Sequence, residues 1–299
     1  MGKKFKSGFV GLIGRTNVGK STFINKILKQ KVVISTDKSQ TTRERINCIY
    51  NSHSSQIIFI DCPGFFKPKD LLGKKLNKVV QDVIKDADLL AVMVDAAGGI
   101  GKGDYYVMES VKKVRKPKLL LLNKIDLISK KQLESEMEKI TGMDMFKKVI
   151  PISAKTGKNL NICLEKIEVL LPEGPKYFGD DIISDQPVEK LVSDIVREKL
   201  ALNLMQELPH SIGVKVARMD EGATKSGKKL INISCNIFAE KKSQKAIIIG
   251  KSGNMLKKVG MEARKELENI FECKVYLELW VKIAKNWTRN EALLKELGY

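Results

Sequence analysis

Gly14, Arg15, Thr16, Asn17, Val18, Gly19, Lys20 and Ser21 fit the pattern GxxxxGK[ST]. Such a loop curls so that successive backbone N–H groups converge on a phosphate at the positive end of the next helix, which here begins at Lys20, with Thr22 a further nucleotide contact. Lys20 is placed to reach the β- and γ-phosphates, and the Ser21 hydroxyl to ligate Mg²⁺. A second metal-directed group belongs at another strand end. Asp61 stands there, about 40 residues on, followed by Cys62, Pro63 and Gly64. In this DxxG run the carboxylate serves the metal, and the Gly64 N–H can meet a γ-phosphate and sense its loss.

Asn123, Lys124, Ile125 and Asp126 close an apolar run. A carboxylate only accepts hydrogen bonds, so Asp126 can take two hydrogens from the ring N–H and amine of guanine. Adenine presents an acceptor at that ring position and leaves the carboxylate unsatisfied. Ser153, Ala154 and Lys155 are placed at the next strand end to support the base through backbone N–H groups. Between the first helix and the second strand lies Gln40, Thr41, Thr42, Arg43. Thr42 is the expected metal contact from this loop when a γ-phosphate is present, with Thr41 the alternative.

After Gly64, many regulatory GTPases carry a glutamine that orients the attacking water. Here Phe65 and Phe66 follow. A phenyl ring cannot hold water, so Lys20, Thr42, Gly64 and Asn17 are left as the catalytic set and unassisted hydrolysis should be slow. Asn17 with the backbone after Asp37 could hold a potassium ion against the phosphates. The competing reading has Asn17 hydrogen-bonding the switch loop.

Strand-type runs at residues 8–13, 46–50, 56–61, 89–95, 119–123 and 149–153 alternate with amphipathic stretches at 20–30, 71–85, 104–114, 131–141 and 160–171. That rhythm implies a mostly parallel sheet with helices on both faces, and ligands at the carboxyl ends of its strands. Residues 172–175, PEGP, end the last helix. The expected division is 1–173 for nucleotide, 174–186 as linker, and 187–299 as a second domain with a C-terminal tail.

The second part reads α-β-β-α-α-β: a helix over 188–208, strands over 212–219 and 230–238 around a turn at 220–229, a helix ending near Ile249, a helix over 254–271, and a strand over 274–281. Gly250, Lys251, Ser252 and Gly253 form a GxxG loop between the two helices, the type that clamps about four nucleotides of single strand. Ile249, Lys257 and Lys258 adjoin it, and Lys241, Lys242 and Lys245 precede it. Phe271, Tyr276 and Trp280 read as core; Trp287 is open.

The chain of 299 residues carries 54 basic and 35 acidic side chains, net +19. Such a field favours polyanions, nucleic acid before an anionic membrane. Residues 1–174 hold +14 of it, so the basic surface is not confined to the GxxG region. No apolar run approaches the ~18 residues that span a bilayer. Five widely spaced cysteines without a CxxC, and two histidines, point to reduced, structural thiols in a cytoplasmic protein.

The five nucleotide motifs in this order, then GKSG and the closing ELWVKIAKNW…LGY, resemble the Era-like GTPase family of bacterial ribosome assembly along the whole chain. The resemblance implies an α/β P-loop GTPase domain followed by a small α+β type II KH domain. It also implies GTP/GDP and Mg²⁺ as ligands, and binding to the 3′ region of 16S ribosomal RNA in 30S subunit maturation. A monomer with some peripheral association with the inner membrane is expected. Thr16, Cys62 and Ser252 depart from the usual proline, threonine and glycine. The alternative is a membrane- or protein-directed signalling GTPase without an RNA role.

Overall fold

A computed structural model describes residues 4–34, 44–68, 71–140, 142–204, 212–224, 226–287 and 290–296. The chain divides into two compact units between Asp185 and Gln186. The first runs β1 (Lys6–Gly14), α1 (Lys20–Leu28), β2 (Ile46–Asn51), β3 (Ser55–Asp61), α2 (Leu71–Asp86), β4 (Leu89–Asp95), α3 (Lys102–Lys112), β5 (Lys118–Asn123), α4 (Lys130–Glu138), β6 (Lys148–Pro151) and α5 (Leu160–Leu170). Its sheet has the order β2-β3-β1-β4-β5-β6, with only β2 antiparallel to its neighbour.

The apolar runs look continuous because both sheet faces are covered. Their period of two sorts the side chains. Val10, Leu12, Met93, Leu119 and Leu121 meet Phe23 and Ile24 of α1 and Ile167 of α5. Ile13, Leu90, Val92, Leu120 and Leu122 meet Val80 and Val83 of α2 and Val107 and Met108 of α3. The register pairs Gly14 with Met93 and Asp95 with Asn123, which brings the carboxyl ends of β1, β4 and β5 to one rim.

Of the expected linker 174–186, residues 174–185 belong to the first unit and are bound along the edge of this sheet. Ile49 N–H donates to the Ile183 carbonyl at 2.9 Å, and Asp185 accepts from both the backbone and side-chain N–H of Asn47. Gln56, fully buried, accepts from the N–H of Tyr177 and Phe178 and donates to the Phe178 carbonyl. The segment's polar, Pro/Gly-marked sequence signals only the loss of helix. The unpaired edge of β2 supplies backbone partners that no side-chain pattern reveals.

The second unit runs α6 (Val188–Asn203), β7 (Gly213–Ala223), β8 (Lys229–Ala239), α7 (Lys242–Ile249), α8 (Asn254–Phe271), β9 (Lys274–Ile283) and α9 (Glu291–Glu296). Its sheet order is β7-β8-β9, antiparallel then parallel. α6 ends at Asn203, short of the expected 208, because Leu204 turns extended with its N–H donating to the Leu200 carbonyl; residues 205–208 lie outside the described residues. β7 continues through Asp220–Ala223, where the sequence suggested turn. Backbone pairing with residues 229–232 needs no apolar side chain, and this end of the strand is exposed.

Along β8, Ile231, Ile233, Cys235 and Ile237 are buried, so one sheet face packs and the other is open. Tyr276 and Trp280 stand on the open face, 55% and 58% exposed, and not in the core as their type suggested. Phe271 is half-buried. Trp287 is fully buried.

Candidate nucleotide and RNA sites

The phosphate loop is the bend between the last residue of β1 and the first of α1. Gly19 caps α1 with φ of +100°, and a Cβ there would lie 2.3 Å from Asn123 Nδ2, so only glycine lets the strand end and the loop close up. Lys20 is buried, its Nζ donating to the carbonyls of Gly14 at 3.3 Å and Arg15 at 2.9 Å. Burial pulls its pKa below the ordinary lysine value, opposed by the adjoining Cys62 and Asp61. A cation costly to bury and held by two carbonyls is poised to exchange them for phosphate oxygens.

The Ser21 hydroxyl donates to Asp61 Oδ2 at 3.0 Å, and Asp61 is fully buried at the end of β3. A hydroxyl and a carboxylate meeting beside a phosphate loop form a hard-oxygen donor set of the kind Mg²⁺ takes with phosphate. Beyond them the DxxG run folds back onto the loop. The Phe65 N–H donates to the Gly14 carbonyl at 2.9 Å, and Gly64 sits so close to the Thr16 backbone that a Cβ would meet Thr16 N at 2.5 Å. Cys62, standing where threonine is usual, uses its side chain here: Sγ donates to the Leu12 carbonyl at 3.2 Å. Burial pushes this thiol up to about 12, so it stays protonated at that carbonyl.

Asn123 joins three motifs. Its Nδ2 donates to the Val18 carbonyl at 2.7 Å, and its Oδ1 accepts from Ala154 N–H at 2.9 Å. Lys124, with φ of +66°, extends to Asp95 Oδ2 at 2.6 Å. Asp126 follows in a single 3₁₀ turn, Ile125–Leu127, with its carboxylate exposed. Ser153 is buried and its hydroxyl accepts from Thr156 N–H at 3.1 Å, shaping the turn that carries Ala154 and Lys155. Asp95 was not singled out from the sequence, although its position at the end of β4 is the available signal. Thr42, Thr41 and Asp37 lie outside the described residues, so the metal contact from that loop and half of the cation site do too. Asn17 adopts a left-handed φ of +63° inside the loop.

In the second unit the GxxG loop is a tight 3₁₀ turn between α7 and α8. Gly250 has φ of +75°, and a Cβ there would lie 2.6 Å from that of Met255. Ser252 takes a left-handed conformation, φ +52° and ψ 28°, which costs a non-glycine residue about 1–2 kcal/mol. Lys251, Lys257 and Lys258 are exposed, and Ile249 is half-buried behind them. From the loop a groove of about 520 Å³ runs between α8 and β9, lined by Leu256, Lys257, Gly260, Arg264 and Tyr276 among others. Apolar floor, cationic rim and one exposed aromatic ring suit an unstacked base with its phosphates.

Fold and site together define a guanine-nucleotide P-loop protein with a KH module. Residues 9–124 match the family model described as 50S ribosome-binding GTPase, and residues 207–288 match the KH domain model. GTPase Era of Caldicellulosiruptor saccharolyticus is 48% identical, over 99% of this chain and 98% of its own. That of Caldanaerobacter subterraneus is 45% identical over 99% and 98%. The chain belongs to the Era family of GTPases. A solved structure of Era with MgGDPNP and nucleotides 1506–1542 of 16S ribosomal RNA is 36% identical, covers 99% of both chains, and superposes with a TM-score of 0.94. An Aquifex aeolicus Era variant bound to GDP and AlF4⁻ superposes with a TM-score of 0.93 over the same shares.

Proposed function

We propose that this protein binds GTP, hydrolyses it to GDP and phosphate, and uses the two states to control its hold on the 3′ region of 16S ribosomal RNA during 30S subunit assembly. The observation that carries this reading is the Asn123 junction, which ties the phosphate loop to the Ser153–Ala154 turn beside Asp126. A site joined this way reads base and phosphates as one ligand. Asp126 accepts the two guanine hydrogens, and the Ala154 region supports the base. Lys20 takes the β- and γ-phosphate charge. Ser21 and Asp61 would hold Mg²⁺, which supplies neutralisation of the phosphates, with Thr42 added from the switch loop.

Phe65 cannot orient a water molecule, so the intrinsic rate is slow. Asn17 supports a potassium ion as the extra positive charge near the phosphates; turnover in potassium above that in sodium supports this, and equal rates oppose it. Lys251, Lys257 and Lys258 flank the groove in which single-stranded RNA lies. We place the protein in the cytoplasm as a monomer, with peripheral contact to the inner membrane through its basic surface.

The test uses the full chain, GTP and an oligonucleotide of the 16S 3′ end. Turnover of GTP with RNA affinity lost on Gly250→Asp with Gly253→Asp supports the reading. Salt-sensitive binding to anionic vesicles without RNA affinity would sink it in favour of a signalling role.

A further inference from the structure

Phe65 occupies the place after Gly64 where no glutamine is available to hold water. Its ring is 4% exposed and lies flat on Tyr106 of α3, with centroids 5.2 Å apart and planes inclined by 15°. The same helix also holds the other wall of the phosphate site. Arg15 Nη1 donates to Asp104 Oδ2 at 2.9 Å, and that buried carboxylate accepts the Gly101 N–H at the helix start. Asp104 and Tyr106 therefore grip, from one helical turn, the phosphate loop and the DxxG run.

The ring of Phe65 has two places to go. In the core it belongs to the same buried cluster as Val107 and Met108, while Arg15 and Asn17 of the phosphate loop stay exposed. In another staggered rotamer it would leave that core. The residue is tethered through its N–H to the Gly14 carbonyl, so a swung-out ring would cover the phosphate loop with hydrocarbon. We propose that Tyr106 is a positioning residue for GTP hydrolysis: by stacking on Phe65 it holds that ring in the core, keeps the attack site open to water, and fixes the backbone of Gly64. Tyr106 is 45% exposed, so it contributes a flat wall more than buried volume. This inference rests on the GTPase reading above.

The experiment measures steady-state GTP turnover, GDP affinity and thermal unfolding for the full chain and three variants. Tyr106→Ala and Tyr106→Leu are expected to lower kcat about tenfold, less than the ~100-fold that a full 1 Å misplacement can cost, with KM for GTP and Kd for GDP unchanged. Tyr106→Phe is expected to restore kcat, because the ring and not the hydroxyl does the stacking. Tyr105→Ala serves as the neighbouring control and keeps kcat. Unchanged kcat in Tyr106→Leu overturns the proposal, as does a Phe variant as slow as Ala, or a loss confined to KM. Absence of turnover in the unsubstituted chain would instead overturn the GTPase reading itself.

Discussion

Asn123 does more than its place in a four-residue motif announces: one side-chain amide holds the phosphate loop, and its carbonyl holds the base-supporting turn. The sequence identifies such residues by order and spacing, because the chemistry of each is local. It does not reveal their partners. Asp95 beneath Lys124, and Asp104 against Arg15, are distant in the chain, and no periodicity links them. At this scale the guanine reading makes a sharp prediction. Asp126→Asn replaces two acceptor oxygens by one acceptor and one donor. GTP affinity is expected to fall by roughly 1–3 kcal/mol, because one guanine hydrogen loses its acceptor and faces a donor instead. Xanthosine triphosphate, which offers a carbonyl where guanine has its amine, should be bound better than by the unsubstituted protein. A competition assay with the two nucleotides checks this, and unchanged preference for GTP would contradict the assignment.

Among the elements, the parallel sheet was legible because each strand is a short apolar run between amphipathic helices, and both faces must be buried. Three features were not. The segment 174–185 is stitched to β2 and β3 through backbone groups; β7 extends through polar residues; and Tyr276 and Trp280 lie on an open face. In each case backbone pairing or exposure overrides what the side chain's polarity suggests. Gln56 tests the first of these. It satisfies two N–H groups and one carbonyl of the segment from a fully buried position. Gln56→Leu leaves them without that partner, and about 2–3 kcal/mol of stability should be lost. Hydrogen exchange at Tyr177 and Phe178 should accelerate first. Protection unchanged at those two amides would show that the segment is held by other means.

For the whole molecule, the charge of +19 separates into jobs. In the function proposed above Lys20 serves the nucleotide, while Lys241, Lys242, Lys245, Lys251, Lys257 and Lys258 lie on either side of the GxxG loop in the sequence. If these six meet RNA phosphates, log affinity should fall with log salt at a slope near −4, about 0.7 for each contact with a single strand. A steeper slope assigns part of the +14 on residues 1–174 to RNA as well. A flat response would leave that charge to solubility.

The proposed switch links nucleotide state to RNA affinity in one chain. It is tested most directly by measuring the affinity of the full protein for a 16S 3′-end oligonucleotide, at fixed salt, with GDP and then with the non-hydrolysable analogue GDPNP. The proposed switch predicts affinities that differ between the two states by the five- to 150-fold that a coupling of about 1–3 kcal/mol gives. It also predicts loss of binding in both states on Gly250→Asp with Gly253→Asp. Equal affinity in the two states, or binding indifferent to the GxxG loop, would contradict it.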